Sequence, residues 1–374
     1  MSGWSVRSAA LLAAAGSTDE VADAVHATAR RLAGVLAHID PPSNPSALGA
    51  WAHAQARGIE AIGPSGALRE VVALRALAEG LRAAARLYDE VEQGVTAVMR
   101  GVAAGADLAA GAGWLTEGAG EPAVREVAPG VTPERLASAS DLVALGAGLD
   151  GGRVRVLEVA RGDGGSAWVV VVPGTQDWHA RAGANPFDVT TDVRAMVGDP
   201  TAAAAGVVVA LARARSHTDR ATDLDPVLLV GHSQGGILAA ALASDPAFTA
   251  HHDVTHVVTT GAPIGAFPLP PGVQVLSVEH AADPVPALDL TPNPARPSWV
   301  TLRTQGSGPP LDVAAHDLHG YVATLAAAEG ASLGRLTGIE GVVAWRASAG
   351  VFLGGSVRSV REFEVEREWQ NPRS

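Results

Sequence analysis

The chain of 374 residues contains no cysteine and no lysine. Without thiols there is no disulfide, no Cys-ligated zinc and no thiol nucleophile, and the redox compartment stays open. Every basic side chain is an arginine, 27 of them against 39 acidic residues, for a formal net charge of −12. That balance works against nucleic-acid partners, which are held largely by clustered cationic side chains. Aromatics make up only 4% of the chain against 47% hydrophobic residues overall, so the core must be built from Ala, Val and Leu. No run approaches the roughly 18–20 uninterrupted apolar residues of a membrane span, and no integral membrane segment is expected. Met1 to Gly16 lacks the basic start and long apolar core of a secretory signal, which leaves the cytoplasm or a non-Sec export route.

The first hundred residues have helical period. From Val21 the apolar positions Val21, Val25, Leu32, Val35 and Ile39 share a face, Ser17-Thr18-Asp19-Glu20 offers N-capping chemistry, and Pro41-Pro42 is a stop. A second stripe runs through Leu74, Leu77, Leu81, Ala84, Tyr88, Val91, Val95, Val98 and Val102 in steps of three and four, predicting a helical hairpin. Residues 104–130 turn Gly/Ala-rich and lose the period, as a linker would. The expected domains are therefore a helical one over 1–125 and a second over 126–374.

Beyond the linker, short β-branched runs alternate with Ala-rich helical stretches. Strands are expected at 154–159, 168–172, 227–230, 254–259, 273–278 and 299–302, with helices at 200–216 and 234–243. This alternation predicts an α/β fold with a mostly parallel central sheet. The terminal segment 342–369 suggests an edge hairpin.

Pro226 to Val230 is a buried-strand pattern, Gly231-His232-Ser233-Gln234-Gly235 follows at once, and a helix pattern comes next. A nucleophile on a strained strand-to-helix turn needs small residues two before and two after it, and Gly231 and Gly235 supply them. Ser233 is thus the candidate nucleophile, while His232, pointing away from it, is assigned to packing or hydrogen bonding. A serine hydroxyl also needs a base and an acid to orient that base, in the chain order Ser, Asp, His. Asp283, just past the strand at 273–278, is the candidate acid, with Asp289 in reserve; the alternative is that Asp283 merely begins an Asp-Pro turn. The base is His316, at a loop-to-helix junction, or His319, a turn further on. For the oxyanion, the residue after the nucleophile, Gln234, offers one backbone N–H, and Pro173-Gly174-Thr175-Gln176 offers a second from Thr175 or Gln176. Phe187 and Trp178 either border the entrance or pack in the core. A metal reading of His316 with His319, or of His252 with His256, lacks a third ligand, and the second pair reads as surface histidines. Neither metal nor cofactor is expected.

At Val172-Pro173-Gly174-Thr175, Gly231-His232-Ser233-Gln234-Gly235-Gly236, Thr260-Gly261-Ala262-Pro263, Asp283-Pro284-Val285-Pro286 and His316 with Tyr321, the sequence resembles actinobacterial α/β-hydrolases related to the class 3 lipases, over about residues 150–330. The resemblance implies an α/β-hydrolase fold, a Ser233, Asp283, His316 triad and hydrolysis of a lipid or other acyl ester. Pro173-Gly174-Thr175 replaces the Arg-Gly-Thr usual in class 3 lipases, which leaves the subfamily open. The same triad also supports amidase, peptidase or acyltransferase chemistry. The helical leader resembles type VII secretion substrates through Tyr88-x-x-x-Glu92, but has no Trp-x-Gly turn. A helical partner, or a non-catalytic interaction protein, is the rival reading.

Overall fold

The computed structural model describes residues 3–63, 66–72, 117, 121–178, 182–304, 313–330 and 336–368, with 74, 75, 78 and 82. The chain forms two compact units, Met1–Ala97 and Val98–Ser374.

The first unit is helical. Helix α1 spans Gly3–Ala37 and α2 spans Leu48–Ile62. Helix α1 begins well before the expected cap at Ser17, because Ala and Leu carry the helix through 9–15 and no breaker interrupts it. It ends ahead of Pro41-Pro42, as expected. Of the second stripe only Leu74 is described; Leu77, Leu81 and the positions from Ala84 to Val102 lie outside the described residues, and with them Tyr88 and the export spacing. Positions 104–116 and 118–120 of the expected linker also lie outside.

The second unit has an α/β fold in which, among the described residues, one nine-stranded sheet runs in the order β1-β9-β2-β3-β4-β5-β6-β7-β8. Its strands are β1 Ala123–Val127, β2 Arg153–Ala160, β3 Ser166–Val172, β4 Pro226–His232, β5 Asp253–Thr260, β6 Gln274–Glu279, β7 Trp299–Thr304, β8 Leu336–Thr337 and β9 Val357–Glu366. Strands β3 to β7 pair in parallel, while β1, β9 and β2 pair antiparallel on one side and β8 on the other. The six strands expected from β-branched runs all form.

Two expectations need correction. Strand β1 lies inside the stretch read as linker: Ala123-Val124-Arg125-Glu126-Val127 is too short to announce a period and is fixed by pairing with β9. The end of the chain is not an edge hairpin either. Its first half is a helix, Ile339–Ser348, and β9 is inserted between β1 and β2. Phe363 and Val365 are buried there, and the fully buried Glu362 accepts hydrogen bonds from the Arg155 guanidinium at 2.9 and 2.7 Å.

Alternate residues of the central strands feed two cores, one on each face of the sheet. Trp168, Val170, Val172 and Leu229 pack on one side with helices α3 (Ala202–Ser216) and α4 (Gln234–Ser244). Val169, Val171, Leu228 and Val230 pack on the other with Tyr321 and Leu325 of α5 (Leu318–Glu329) and with Trp345. Burial on both faces explains why these strands read as continuous Val/Leu runs without alternation. Helix α3 is started by the Thr201 side chain, which accepts the Ala204 N–H, and ends with Arg213 and Arg215 in its last turn, where cations suit the helix dipole.

Candidate active site

The parallel strands all deliver their C-terminal ends to one rim, where open α/β sheets form their crevices. Strand β4 ends there in the turn that presents Ser233. Its backbone has φ 54° and ψ −125°, a left-handed region that a side-chain-bearing residue occupies at a cost of about 1–3 kcal/mol. The flanking glycines are required by space. A Cβ on Gly231 would lie 2.1 Å from the Gly235 carbonyl carbon, and one on Gly235 would lie 2.2 Å from the Val172 oxygen. The Ser233 N–H is tied to the Thr260 carbonyl at 2.9 Å, which anchors the turn to β5.

His316 closes a short 3-10 turn, Val313–His316, just before α5, whose first turn is capped by Asp317. Its Nε2 lies 2.9 Å from Ser233 Oγ, and its Nδ1 lies 2.7 Å from Asp283 Oδ2. Asp283 follows β6, and its second oxygen, Oδ1, accepts the Val285 N–H at 2.9 Å. Burial alone would raise the pKa of this carboxyl. Hydrogen bonds from His316 and Tyr321 and from the Val285 amide outweigh that, holding it below the ordinary carboxylate range. The row Ser233, His316, Asp283 is thus assembled from three separate loops.

The reserve residues lie elsewhere. His319 is exposed and lies 3.5 Å from Asp317. Asp289 accepts the amides of Ala266 and Thr291, pinning one loop to another. Gln176 donates its N–H to the Phe187 carbonyl at 2.8 Å, so that amide is not directed at a substrate. Phe187 is fully buried in the core, whereas Trp178 is 72% exposed.

Gln234 is the first residue of α4, so its N–H has no partner within the helix. Its side chain donates to the Asp188 carbonyl at 2.7 Å. Gly174 is so close that a Cβ there would sit 3.3 Å from the Ser233 Cβ, which brings Thr175 beside the nucleophile. The Thr175 hydroxyl donates to Asp192 at 2.9 Å. Asp192 lies on the helix Val189–Met196, and burial, aided by the Asp188 charge, pushes it up to about 6 against hydrogen bonds from Gln234 and Thr175.

Sequence reasoning missed several neighbours. Asp192 carried no signal, because nothing in Val189-Thr190-Thr191-Asp192 separates a site residue from an ordinary first helical turn. Gly261, at φ 61°, leaves room for His316 and Asp283: a Cβ there would sit 3.0 Å from the His316 ring and 3.1 Å from Asp283. His232 does not point away from the site. Its ring centroid is 4.7 Å from that of His316, and its Nδ1 pairs with the Thr260 hydroxyl at 3.1 Å. Burial, with the His316 charge, lowers its pKa to about 4, and Ser233 Oγ pairs with His316 rather than with this ring. His256 is also no surface residue; it is buried against Trp345 and Phe352 and lies 3.1 Å from the Ser348 hydroxyl. His252 is half-buried beside Arg215.

Among the described residues, no group of three or more His, Asp or Glu side chains is arranged to hold a metal ion. No helix among them is long and apolar enough to cross a membrane.

Residues 201–304 match the family described as PGAP1-like alpha/beta domain. The match covers Ser233 and Asp283 and stops short of His316. No curated protein and no solved structure matches the chain. The fold, the rim geometry and this match together support a hydrolase in general terms.

Proposed function

We propose that the protein is a serine hydrolase that cleaves a lipid or other acyl ester through an acyl-enzyme. The observation that carries the reading is the hydrogen-bonded row of Ser233 Oγ, His316 Nε2, His316 Nδ1 and Asp283 Oδ2, at 2.9 and 2.7 Å. His316 takes the Ser233 proton as Oγ adds to the ester carbonyl, and Asp283 holds the imidazole in the required tautomer and stabilises its charge. The N–H groups of Gln234 and Thr175 receive the developing oxyanion at the positive end of α4. His316 then returns the proton to the departing alcohol, and water, deprotonated by the same imidazole, releases the acid. The ester assignment is further supported by the resemblance of the five rim motifs to class 3 lipases.

The test is a paired assay of wild type and Ser233→Ala on short- and long-chain p-nitrophenyl esters, with fluorophosphonate labelling. Wild type is expected to label and turn over, and the variant to do neither. Equal rates in the two proteins would end the proposal. Product analysis with amide substrates and added alcohols separates ester hydrolysis from amidase or acyltransferase chemistry.

A further inference from the structure

We infer that Tyr321 is a positioning residue for the base: its hydroxyl holds the Asp283 carboxylate in line with His316 and takes up part of the charge on the oxygen that both share. This rests on the triad reading above. Asp283 Oδ2 receives the Tyr321 hydroxyl at 2.6 Å as well as His316 Nδ1 at 2.7 Å, while Oδ1 receives the Val285 amide. Without the tyrosine, two donors would hold the carboxylate, one on each oxygen.

The tyrosine is itself fixed on every side. It is fully buried, its ring lies flat on His280 at 3.8 Å between centroids, and its oxygen accepts the His280 N–H at 3.2 Å. His280 is in turn held between the Ala315 carbonyl and the Thr324 hydroxyl, both at 2.8 Å. With its acceptor role used by that amide, the hydroxyl proton has one direction left, toward Asp283. Burial and the Asp283 charge push its ionisation far above the ordinary tyrosine range, so it remains a donor throughout the working pH range. As a space-filling aromatic, Phe would serve equally at this position; the hydroxyl is what makes the difference.

The sign of the effect follows from the shared oxygen. Removing the Tyr321 donor leaves more charge on Oδ2, which stabilises the imidazolium of His316 and raises the pH at which the base becomes available. The other groups facing His316 are Ser233, the neutral His232 ring, Asp192 and the neighbouring Asp317; Tyr321 itself faces His280, His232 and Glu279. None of these is altered by Tyr321→Phe.

Two modified proteins test the inference in opposite directions. Tyr321→Phe removes the donor and keeps the ring. Tyr321 is one of only two tyrosines, with Tyr88, so 3-fluorotyrosine incorporated in a Tyr88→Phe background strengthens the same donor without removing it. Two readouts are taken: the acidic limb of kcat/KM, and the His316 titration by NMR, assigned through His316→Asn. In Tyr321→Phe both are expected to move up by about half a pH unit, with kcat about tenfold lower and KM unchanged. In the fluorinated protein both are expected to move down. Any other pattern overturns the role. If wild type neither labels nor turns over esters, the hydrolase reading fails by itself, and the NMR titration still decides whether Tyr321 acts on His316.

Discussion

Asp192 lies beside the groups proposed to receive the oxyanion, yet it is a carboxylate, the least suitable side chain to leave free there. The Thr175 hydroxyl and the Gln234 side chain occupy it, and its pKa of about 6 records what burial costs the charged form. Because the folded-state value lies above the unfolded one, the folded state binds the proton more tightly, so stability is lost as pH rises from about 4 to 6. Asp192→Asn removes that loss. Its stability difference from wild type, measured by urea unfolding, is expected to favour the variant more at pH 7 than at pH 4.5. A difference independent of pH would refute the raised pKa. Asp283, the acid of the proposed triad, behaves oppositely, since its pKa is held below the ordinary carboxylate range. Asp283→Asn keeps the shape but disturbs the tautomer of His316, and kcat is expected to fall by roughly 10³–10⁴ in the ester assay. A fall of less than about tenfold would remove Asp283 from the mechanism. At this scale Ser233 was legible because strain demands a signature in the chain: a strand, glycines at fixed offsets, a helix. Asp192 was not legible as a partner, because an isolated acid on a helix carries no offset that reveals what it faces; Tyr321 stood out only by its spacing from His316, which does not reveal that it faces Asp283.

The elbow is an element whose geometry tolerates no added atoms. Gly235→Ala would place a methyl 2.2 Å from the Val172 oxygen and 2.7 Å from the Pro173 oxygen, both backbone atoms that cannot rotate away. Such a variant is expected to lose more than about 2 kcal/mol and to fail to label with fluorophosphonate. Normal stability and labelling would show that the turn is looser than its contacts imply. Strand β9 raises a different question, since it lies between β1 and β2 although it comes last. Its Glu362 pairs with the buried Arg155, which also donates to the Leu145 carbonyl. Glu362→Ala strips a buried guanidinium of its counter-charge, with an expected cost of about 3–5 kcal/mol by denaturant unfolding. Strands β3 and β4 could be recognised as elements because burial on both faces forces nearly unbroken Val/Leu runs, and β2, β5, β6 and β7 because β-branched residues recur through them. Strands β1 and β9 carry interspersed Arg and Glu, so their character depends on pairing with each other, which no local pattern announces.

For the whole molecule, the buried histidines set the acid limit of stability. His232, His252 and His256 are each held near pKa 4, chiefly by burial. Since the unfolded chain takes up their protons near 6.5, stability is lost as pH falls from about 6.5 toward 4. For the buried His256 this is about 2 kcal/mol at pH 5, and less for the half-exposed His252, where solvent screens the charge. Asp192 and Asp289, whose pKa values burial raises, oppose this trend, while Asp283, held below the ordinary carboxylate range, adds to it. Urea unfolding is therefore expected to give a lower midpoint at pH 5 than at pH 7, with the gap narrowed in His256→Gln. Equal midpoints at both pH values would contradict it.

By itself the sequence determined the class of fold and singled out Ser233 as the candidate nucleophile, because both are written as periodicity and fixed spacing, interactions that act between near neighbours. It favoured His316 over His319, for its place at a loop-to-helix junction, and Asp283, just past a strand, with Asp289 in reserve. Only the tertiary structure brought Ser233, His316 and Asp283 within hydrogen-bonding distance, by gathering the ends of β4 and β6 and the turn before α5 at one rim. The same packing placed Tyr321, Asp192 and the last strand, because contacts between residues tens to hundreds of positions apart depend on how the sheet closes around them.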